Sequence, residues 1–299
     1  MVLAEGKTKI IRECPNPNMV VLETKDVLTG GDAARREEIN EIGIYKTEQA
    51  ANIFSLLNRA GIPTTYIGRH SINELLCYKC DMLPLEFVAR RYAFGSYLLR
   101  YPFKKSDDGY QRFQYPKWEV FHKHAVVAQP ITDTPYQIDE NKARERYLKD
   151  GVWAKGVHTD PYVDTTHGNW AILAPKESIL TPKLLMVIPP VLGYAEFSYI
   201  ISNLILPTFK LLENALKEIE TEDGKIELVD LKIEVGRRTD NGQLVIADVI
   251  DNDSWRIWVG GDPTKQLDKQ CFRDGHPLAE ISSNYAFVAE LTKRFAYGK

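Results

Sequence analysis

The chain has 299 residues, with 38 basic against 41 acidic side chains and 44% hydrophobic residues. That length suits one large domain or two ordinary ones. Balanced charge with no basic tail or stripe argues against a nucleic-acid partner, and the lack of a long apolar run argues against a membrane span. Four cysteines (Cys14, Cys77, Cys80 and Cys271) are too few for a disulfide scaffold. Cys77 and Cys80 form a lone C-x-x-C with no second pair, which reads as buried or idle thiols. The N-terminus is charged too early for a signal peptide, and a reducing cytoplasm is the expected setting.

In chain order the pattern is α+β. Glu5-Gly6-Lys7-Thr8-Lys9 sets a glycine and two lysines at the head of a strand. Glycine lets backbone approach a phosphate and lysine supplies a point charge, although so short a pair is common. Strands are expected over Lys7–Glu13 and Met19–Glu23, joined by the Pro15-Asn16-Pro17-Asn18 turn. Thr29 to Arg36 reads as a tight turn followed by a helix start, either an anion nest or a plain turn. Ile44, Thr47, Ala50 or Ala51, Phe54 and Leu57 recur at helical spacing until Gly61 and Pro63 stop the helix. Thr64–Arg69 and Met82–Arg90 read as strands, with a lobe boundary near Leu83-Pro84. Arg90 to Ser96 is basic, aromatic and glycine-containing, suited to holding a phosphate or equally to an ordinary surface. Gln129–Leu192 has little periodicity and is expected as loops and short elements. Ala195–Ile219 is a long amphipathic pattern that Pro207 should kink, and Glu280–Phe295 reads as a closing helix.

The most chemically loaded stretch is Glu227 to Trp258. Two β-rich runs flank Asp240-Asn241-Gly242, a strong hairpin signal. In the first run Val229, Leu231, Ile233 and Val235 share one face, and Asp230, Lys232 and Glu234 the other, because strand side chains alternate. With the turn centred near Asn241, Glu234 lies opposite Asp248 to within about one residue, a Cβ separation of roughly 4.5–5.5 Å. Two carboxylates at that distance repel unless a cation separates them. Mg²⁺ suits the position, since it takes a few carboxylates plus phosphate oxygens. Asp251, Asp253 and Arg256 follow directly.

Together these segments resemble the SAICAR synthetase family. EGKTKII, GDAARRE, AGIPT, MLPLEFVARRYAFGS, LVDLKIEVG, ADVIDNDSWRIW and DKQCFRD occur in the family's order and span nearly the whole chain. The resemblance implies a two-lobed α+β fold of antiparallel sheets with packed helices and an ATP cleft between lobes. It implies an N-terminal ATP-binding lobe over 1–83 and a C-terminal lobe over 84–299 with an insertion at about 125–192. It further implies an ATP- and Mg²⁺-dependent ligase of purine biosynthesis. That enzyme joins 5-aminoimidazole-4-carboxyribonucleotide (CAIR) to L-aspartate and yields SAICAR, ADP and phosphate.

Motif by motif, Gly6, Lys7 and Lys9 match the phosphate-binding strand, and Asp81, Met82 and Leu83 the hinge that holds adenine. Glu234 and Asp248 match the metal-linked carboxylates. Asp230 and Lys232 match catalytic positions of the substrate pocket, joined by Asp32 on the loop that closes over it with Arg35. Arg90, Ser96 and Arg256 match residues that hold the ribonucleotide. Lys123, Asp160, Asp253, Lys269 and Arg273 complete the implied substrate positions. Nucleic acid and membrane are not expected partners, and a homo-oligomer is left open. No carboxylase segment follows Lys299, so a separate protein is expected to make the imidazole carboxylate.

The chain departs from the family in two places. The acidic segment usual after the aromatic run is replaced by Trp118 to Ala125, and a looser match, Lys155 to Pro161, lies about 30 residues later in the chain. Asp160 is therefore either the candidate to hold the incoming amine or equally a cap of its loop. The Gly-Lys usual before the first helix reads Glu41-Ile42. These departures leave open a related ligase acting on another azole carboxylate or amine. A kinase resembling the inositol polyphosphate kinases is the reading from another class, since Asp230-x-Lys232 would fit, but Gly236 stands displaced behind Glu234. A catalytically dead scaffold is opposed by the retained Lys7, Lys232, Glu234 and Asp248.

Overall fold

The computed structural model describes residues 1–30, 35–106, 109–123, 126–127 and 157–296. The chain folds as two compact units, Met1–Leu83 with Ile200–Lys299, and Pro84–Tyr199. Residues 200–299 thus group with the N-terminal segment, not with 84–199, which corrects the single lobe expected over 84–299. The cause is packing: the first helix and the closing helix bury their apolar faces on one another, sharing a core of Leu28, Ile42, Phe272, Ile281 and Tyr285.

The first unit opens with β1 (Val2–Glu5), β2 (Lys9–Glu13) and β3 (Met19–Thr24). Gly6, Lys7 and Thr8 form the turn of the first hairpin, with the Gly6 N–H donated to the Lys9 carbonyl at 2.8 Å. β4 (Val27–Gly30) then pairs with β5 (Arg35–Glu38), Thr29 opposite Arg36. A hairpin therefore stands where a helix start was expected, and α1 begins only at Ile42 and runs to Arg59. Asp26 fixes that start by accepting the Gly43 N–H at 2.8 Å. A Cβ at position 43 would lie 2.7 Å from the Thr24 carbonyl, so only glycine fits. Glu41, just before α1, sits at a left-handed φ of 66. β6 (Tyr66–Ser71) and β7 (Glu74–Tyr78) complete an antiparallel sheet of order β1-β2-β3-β7-β6.

β8 (Cys80–Tyr92) carries the chain into the second unit. There follow α2 (Ser96–Arg100), the short pair β9 (Lys105–Ser106) and β10 (Gly109–Tyr110), β11 (Arg112–His122), and a second short pair, β12 (Val126–Val127) and β13 (Val157–His158). β14 (Tyr162–Asp164), β15 (Trp170–Leu173) and β16 (Leu184–Ile188) come next, then α3 (Tyr194–Tyr199). The strands lie in the order β16-β15-β14-β11-β8. Three short strands of the aperiodic segment are thus members of a sheet. In β15 and β16 most residues are buried, so there is no alternation there for a sequence pattern to reveal.

The first unit resumes with a π-helical Ile200–Ile205 and α4 (Leu206–Lys217). Pro207 falls in the first turn of α4, where its missing N–H leaves no helical bond unmade. The expected kink is therefore a π segment followed by a fresh helix start. β17 (Glu220–Thr221) leads into the 15-residue β18 (Gly224–Arg238), which pairs with β19 (Leu244–Ala247) and with β20 (Trp255–Val259). β21 (Asp262–Gln266), α5 (Gln270–Arg273) and α6 (Leu278–Ala296) close the chain.

Candidate active site

Most of the candidate side chains of the first unit gather around β18 and the loop from Asp248 to Ser254. On β18 the alternation is as read: Val229, Leu231, Ile233 and Val235 are buried on one face, and Asp230, Lys232 and Glu234 share the other. The hairpin register falls within the one residue expected. Arg238 N–H bonds Gln243 and Glu234 stands opposite Ala247, so the turn centres between Asp240 and Asn241. A one-residue slip would carry Asp248 to the wrong face of the sheet. The strand instead stops at Ala247, and Asp248 takes a left-handed φ of 56, which re-aims the chain.

Each of the two expected metal carboxylates carries a lysine. The Lys9 ammonium lies 2.6 Å from Asp248 Oδ1, and the Lys232 ammonium 2.6 Å from Glu234 Oε1. Burial disfavours the charge of Lys9, but the pull of Asp248, Asp251 and Glu234 outweighs it and raises the lysine's pKa. Among the described residues no group of three or more His, Cys, Asp and Glu side chains is arranged to hold a metal. Glu234 and Asp248 offer hard oxygen donors but only two side chains. That donor set fits a Mg²⁺ that takes its remaining ligands from phosphate oxygens and water.

Directly across the ladder, Asp230 faces Arg256 and accepts from its Nη1 at 2.6 Å. Lys232 is set by its backbone N–H, bonded to the Ser254 carbonyl at 2.7 Å. Farther along, Asp253 is clamped. Lys46 and Lys269 approach its Oδ2 at 2.9 and 3.2 Å, and the Tyr285 hydroxyl donates to Oδ1 at 2.8 Å. Burial pushes the Asp253 carboxyl up, yet Lys269, Lys46 and Tyr285 together hold it well below the usual range. Asp251 is displaced the other way, by burial and the neighbouring Asp253 charge. The Lys269 pKa is lowered, by burial first and by Lys46 and Arg273 besides, against the opposing pull of Asp253. Arg35 joins this corner, donating to the Phe272 carbonyl at 2.8 Å with its guanidinium 4.2 Å from the Phe272 ring centre. Arg273, next along α5, is exposed.

Of the remaining first-unit candidates, Gly6 and Lys7 are exposed on the β1–β2 turn, and Asp81 and Met82 are exposed at the start of β8, with Leu83 buried. Gly236 makes room for that segment: a Cβ there would lie 2.8 Å from Cys80 Cβ and 3.2 Å from Met82 Sδ. Asp32 lies outside the described residues.

In the second unit Arg90 is buried and not a surface residue, its Nε donating to Glu119 at 2.6 Å. Arg100 holds both oxygens of the same carboxylate at 2.7 Å. Ser96 begins α2, and Lys123 follows β11, its N–H bonded to the Pro84 carbonyl at 2.9 Å. Asp160 takes a positive φ of 47 in the turn before Pro161. The sequence reading overlooked Lys46, Tyr285, Glu119 and Arg100. A signal for Lys46 existed: it falls one turn after Ile42 and one before Ala50, on the buried stripe of α1. Glu119, a lone acidic residue between Trp118 and Val120 on β11, carried no such mark.

The SAICAR synthetase family model matches residues 2–149 and 199–290. The chain is 37% identical over 300 residues to the phosphoribosylaminoimidazole-succinocarboxamide synthase of Chloroflexus aggregans, a match covering 98% of this chain and 96% of that one. Among solved structures it resembles that of the synthase of the same name from Ehrlichia chaffeensis, with a TM-score of 0.71, 24% identity and full coverage of both chains. A SAICAR synthetase crystallised in complex with ADP matches with a TM-score of 0.66 at 23% identity, over 99% of this chain and 97% of that one. At these identities the two structures establish the fold.

Proposed function

The chain belongs to the SAICAR synthetase family, and from that premise we propose that it joins CAIR to L-aspartate at the expense of ATP, with the residue roles that follow. The enzyme is a ligase of purine biosynthesis. A carboxylate is a poor acyl donor, so ATP converts the imidazole carboxylate to an acyl phosphate, and the amine of aspartate displaces phosphate. All three reactants are anionic, and the protein's task is to position them and offset their charge.

Gly6, Lys7 and Lys9 receive the polyphosphate and the Asp81–Leu83 segment receives adenine. Glu234 and Asp248 hold Mg²⁺, which when bound neutralises phosphate charge and orients the transferred group. Lys232 and Asp230 border the reacting carboxylate, Lys232 stabilising the charge that develops there and Asp230 fixing Arg256. Arg256, Arg90 and Ser96 hold the ribonucleotide, Arg90 being steered by Glu119. Lys269, Arg273 and Arg35 form a cationic corner for carboxylate groups, and Asp160 with Lys123 takes the amine end of aspartate. The setting is cytoplasmic; among the described residues no helix is long and apolar enough to cross a membrane.

The observation that supports the reading best is the convergence, around one hairpin, of Lys9, Lys232, Glu234 and Asp248 from three separate segments. Incubation with CAIR, L-aspartate and Mg-ATP, followed by assay of ADP and SAICAR, tests it directly. ADP formed only when another azole carboxylate or another amine replaces its counterpart would transfer the reading to a related ligase. Phosphorylation of an inositol polyphosphate instead would overturn it.

A further inference from the structure

Position 236 falls on the same face of β18 as Asp230, Lys232 and Glu234, yet it carries no side chain. Glycine weakens a strand interior, and one that persists there marks a close approach. Its backbone is not left-handed, so the main chain itself would accept a side chain. Space forbids one. A Cβ at Gly236 would lie 2.8 Å from Cys80 Cβ, 3.2 Å from Met82 Sδ and 3.3 Å from Ala247 Cβ. The end of the methionine can swing aside, but Cys80 Cβ moves only with its backbone. The start of β8 is thus laid on a bare patch of β18, about 7 Å along the strand from Glu234 at roughly 3.4 Å per residue. The tip of the same hairpin fastens it. Thr239 donates its N–H and its hydroxyl to the Lys79 carbonyl at 3.0 and 3.2 Å. The Arg238 guanidinium lies 3.4 Å from the centre of the Tyr78 ring, held there by Asp240 at 3.0 and 2.6 Å. The Tyr78 N–H bonds the Thr65 carbonyl at 2.7 Å, and the Thr65 N–H bonds Ile246 on β19 at 2.9 Å. Tyr78 to Met82 is therefore seated on the hairpin, while Asp81 and Met82 stay exposed.

We propose that Gly236, with Arg238 and Thr239, positions the base of the nucleotide by fixing the segment 80–83 at a set distance from Glu234, which rests on the reading of Asp81–Leu83 as the segment that receives adenine. None of the three touches the reacting atoms. They act through the segment they hold. β18 serves as a ruler: Glu234 stands at the polyphosphate end of the nucleotide, and two residues on, the bare position sets the height of the base support. Any side chain at 236 lifts that support and moves its backbone donors and acceptors away from the base. Lys232 and Asp230, farther back on the strand, are left where they are.

The test titrates ADP calorimetrically into each protein and follows KM for each substrate. Gly236→Ala is expected to weaken ADP about tenfold, the worth of one hydrogen bond to the base. KM for ATP should rise in step, with KM for CAIR and for aspartate unchanged. Removing the obstructing atom should restore binding: Gly236→Ala in a Cys80→Gly background loses less ADP affinity than Gly236→Ala alone. Arg238→Ala combined with Thr239→Val alters only the hairpin tip and leaves the core intact. It should weaken ADP about two- to fivefold, the scale of one exposed cation–π contact. Wild-type ADP affinity in either folded variant overturns the proposal. So does an equal rise of KM for all three substrates, which would mean that the whole strand had shifted. Hydrogen exchange of the wild type separates the two levels. If ADP protects the amides of 80–83, the adenine reading stands, and a variant that binds ADP normally defeats the positioning role alone. If ADP leaves those amides unprotected, the adenine reading fails and the positioning role fails with it.

Discussion

Two lysine–carboxylate clusters meet on one loop, at Asp248 and, five residues on, at Asp253, yet they differ in how far they are locked. At Asp248 and Glu234 each carboxylate pairs with a lysine that is partly open to solvent. At Asp253 a single carboxylate takes two lysines and a tyrosine, with Lys46 at 1% exposure and Tyr285 fully buried. An ion pair that can exchange its partner serves ligand binding. One whose members are locked on three sides fixes the loop that presents the first. Access to solvent, not residue type, separates them.

The largest effect expected on stability is at the locked cluster. Asp253→Asn leaves Lys46 buried without its counter-charge, at a cost of about 3–5 kcal/mol. Urea unfolding reads the loss directly, and a midpoint within error of wild type would erase the distinction between the clusters. Asp248→Asn should do the opposite: fold and unfold like wild type, but lose turnover by about a hundred- to a thousandfold, the scale of removing one essential electrostatic contact. Near-normal turnover at moderate Mg²⁺ would remove Asp248 from the metal site.

Arg256→Ala tests the edge of the open cluster. It should raise the apparent KM for CAIR about ten- to a hundredfold, as expected for one charge-assisted hydrogen bond, with little change for ATP. Arg90→Ala should show the same substrate preference but also lower stability, since it strands Glu119 beside Arg100. Equal effects on both substrates would place these arginines elsewhere. Asp160→Asn sharpens the contrast in the second unit. Asparagine tolerates a left-handed backbone as well as aspartate does, so the turn should persist while KM for aspartate rises by about tenfold, again the worth of one hydrogen bond to a charge. An unchanged aspartate dependence would make Asp160 a turn residue only. The smallest effect is at Glu41, held at φ 66. Glu41→Gly should stabilise the protein by about 0.5–1 kcal/mol by relieving the left-handed strain. A lower melting temperature would mean that the Tyr45 hydroxyl bond to Glu41 matters more than the backbone.

Much of the open cluster was legible in the chain because strand periodicity is local. Alternation on β18 alone puts Asp230, Lys232 and Glu234 on one face, and Asp-Asn-Gly alone folds the hairpin. The family motifs carried the same residues to a function. Tertiary structure decided what local pattern cannot reach. It turned Asp248 back through a left-handed backbone at the end of β19. It brought Lys9 to Asp248 across 239 positions of sequence, and Lys46 to Asp253 across 207. It also gathered residues 200–299 with 1–83. The physical reason is common to all of these. A hydrogen bond between neighbours along a strand is fixed by backbone geometry, whereas which distant charge meets which depends on how helices and sheets bury their apolar faces. The sequence by itself therefore determined which residues could carry the chemistry, and the packing of α1, α6 and the β18 hairpin decided which of them meet.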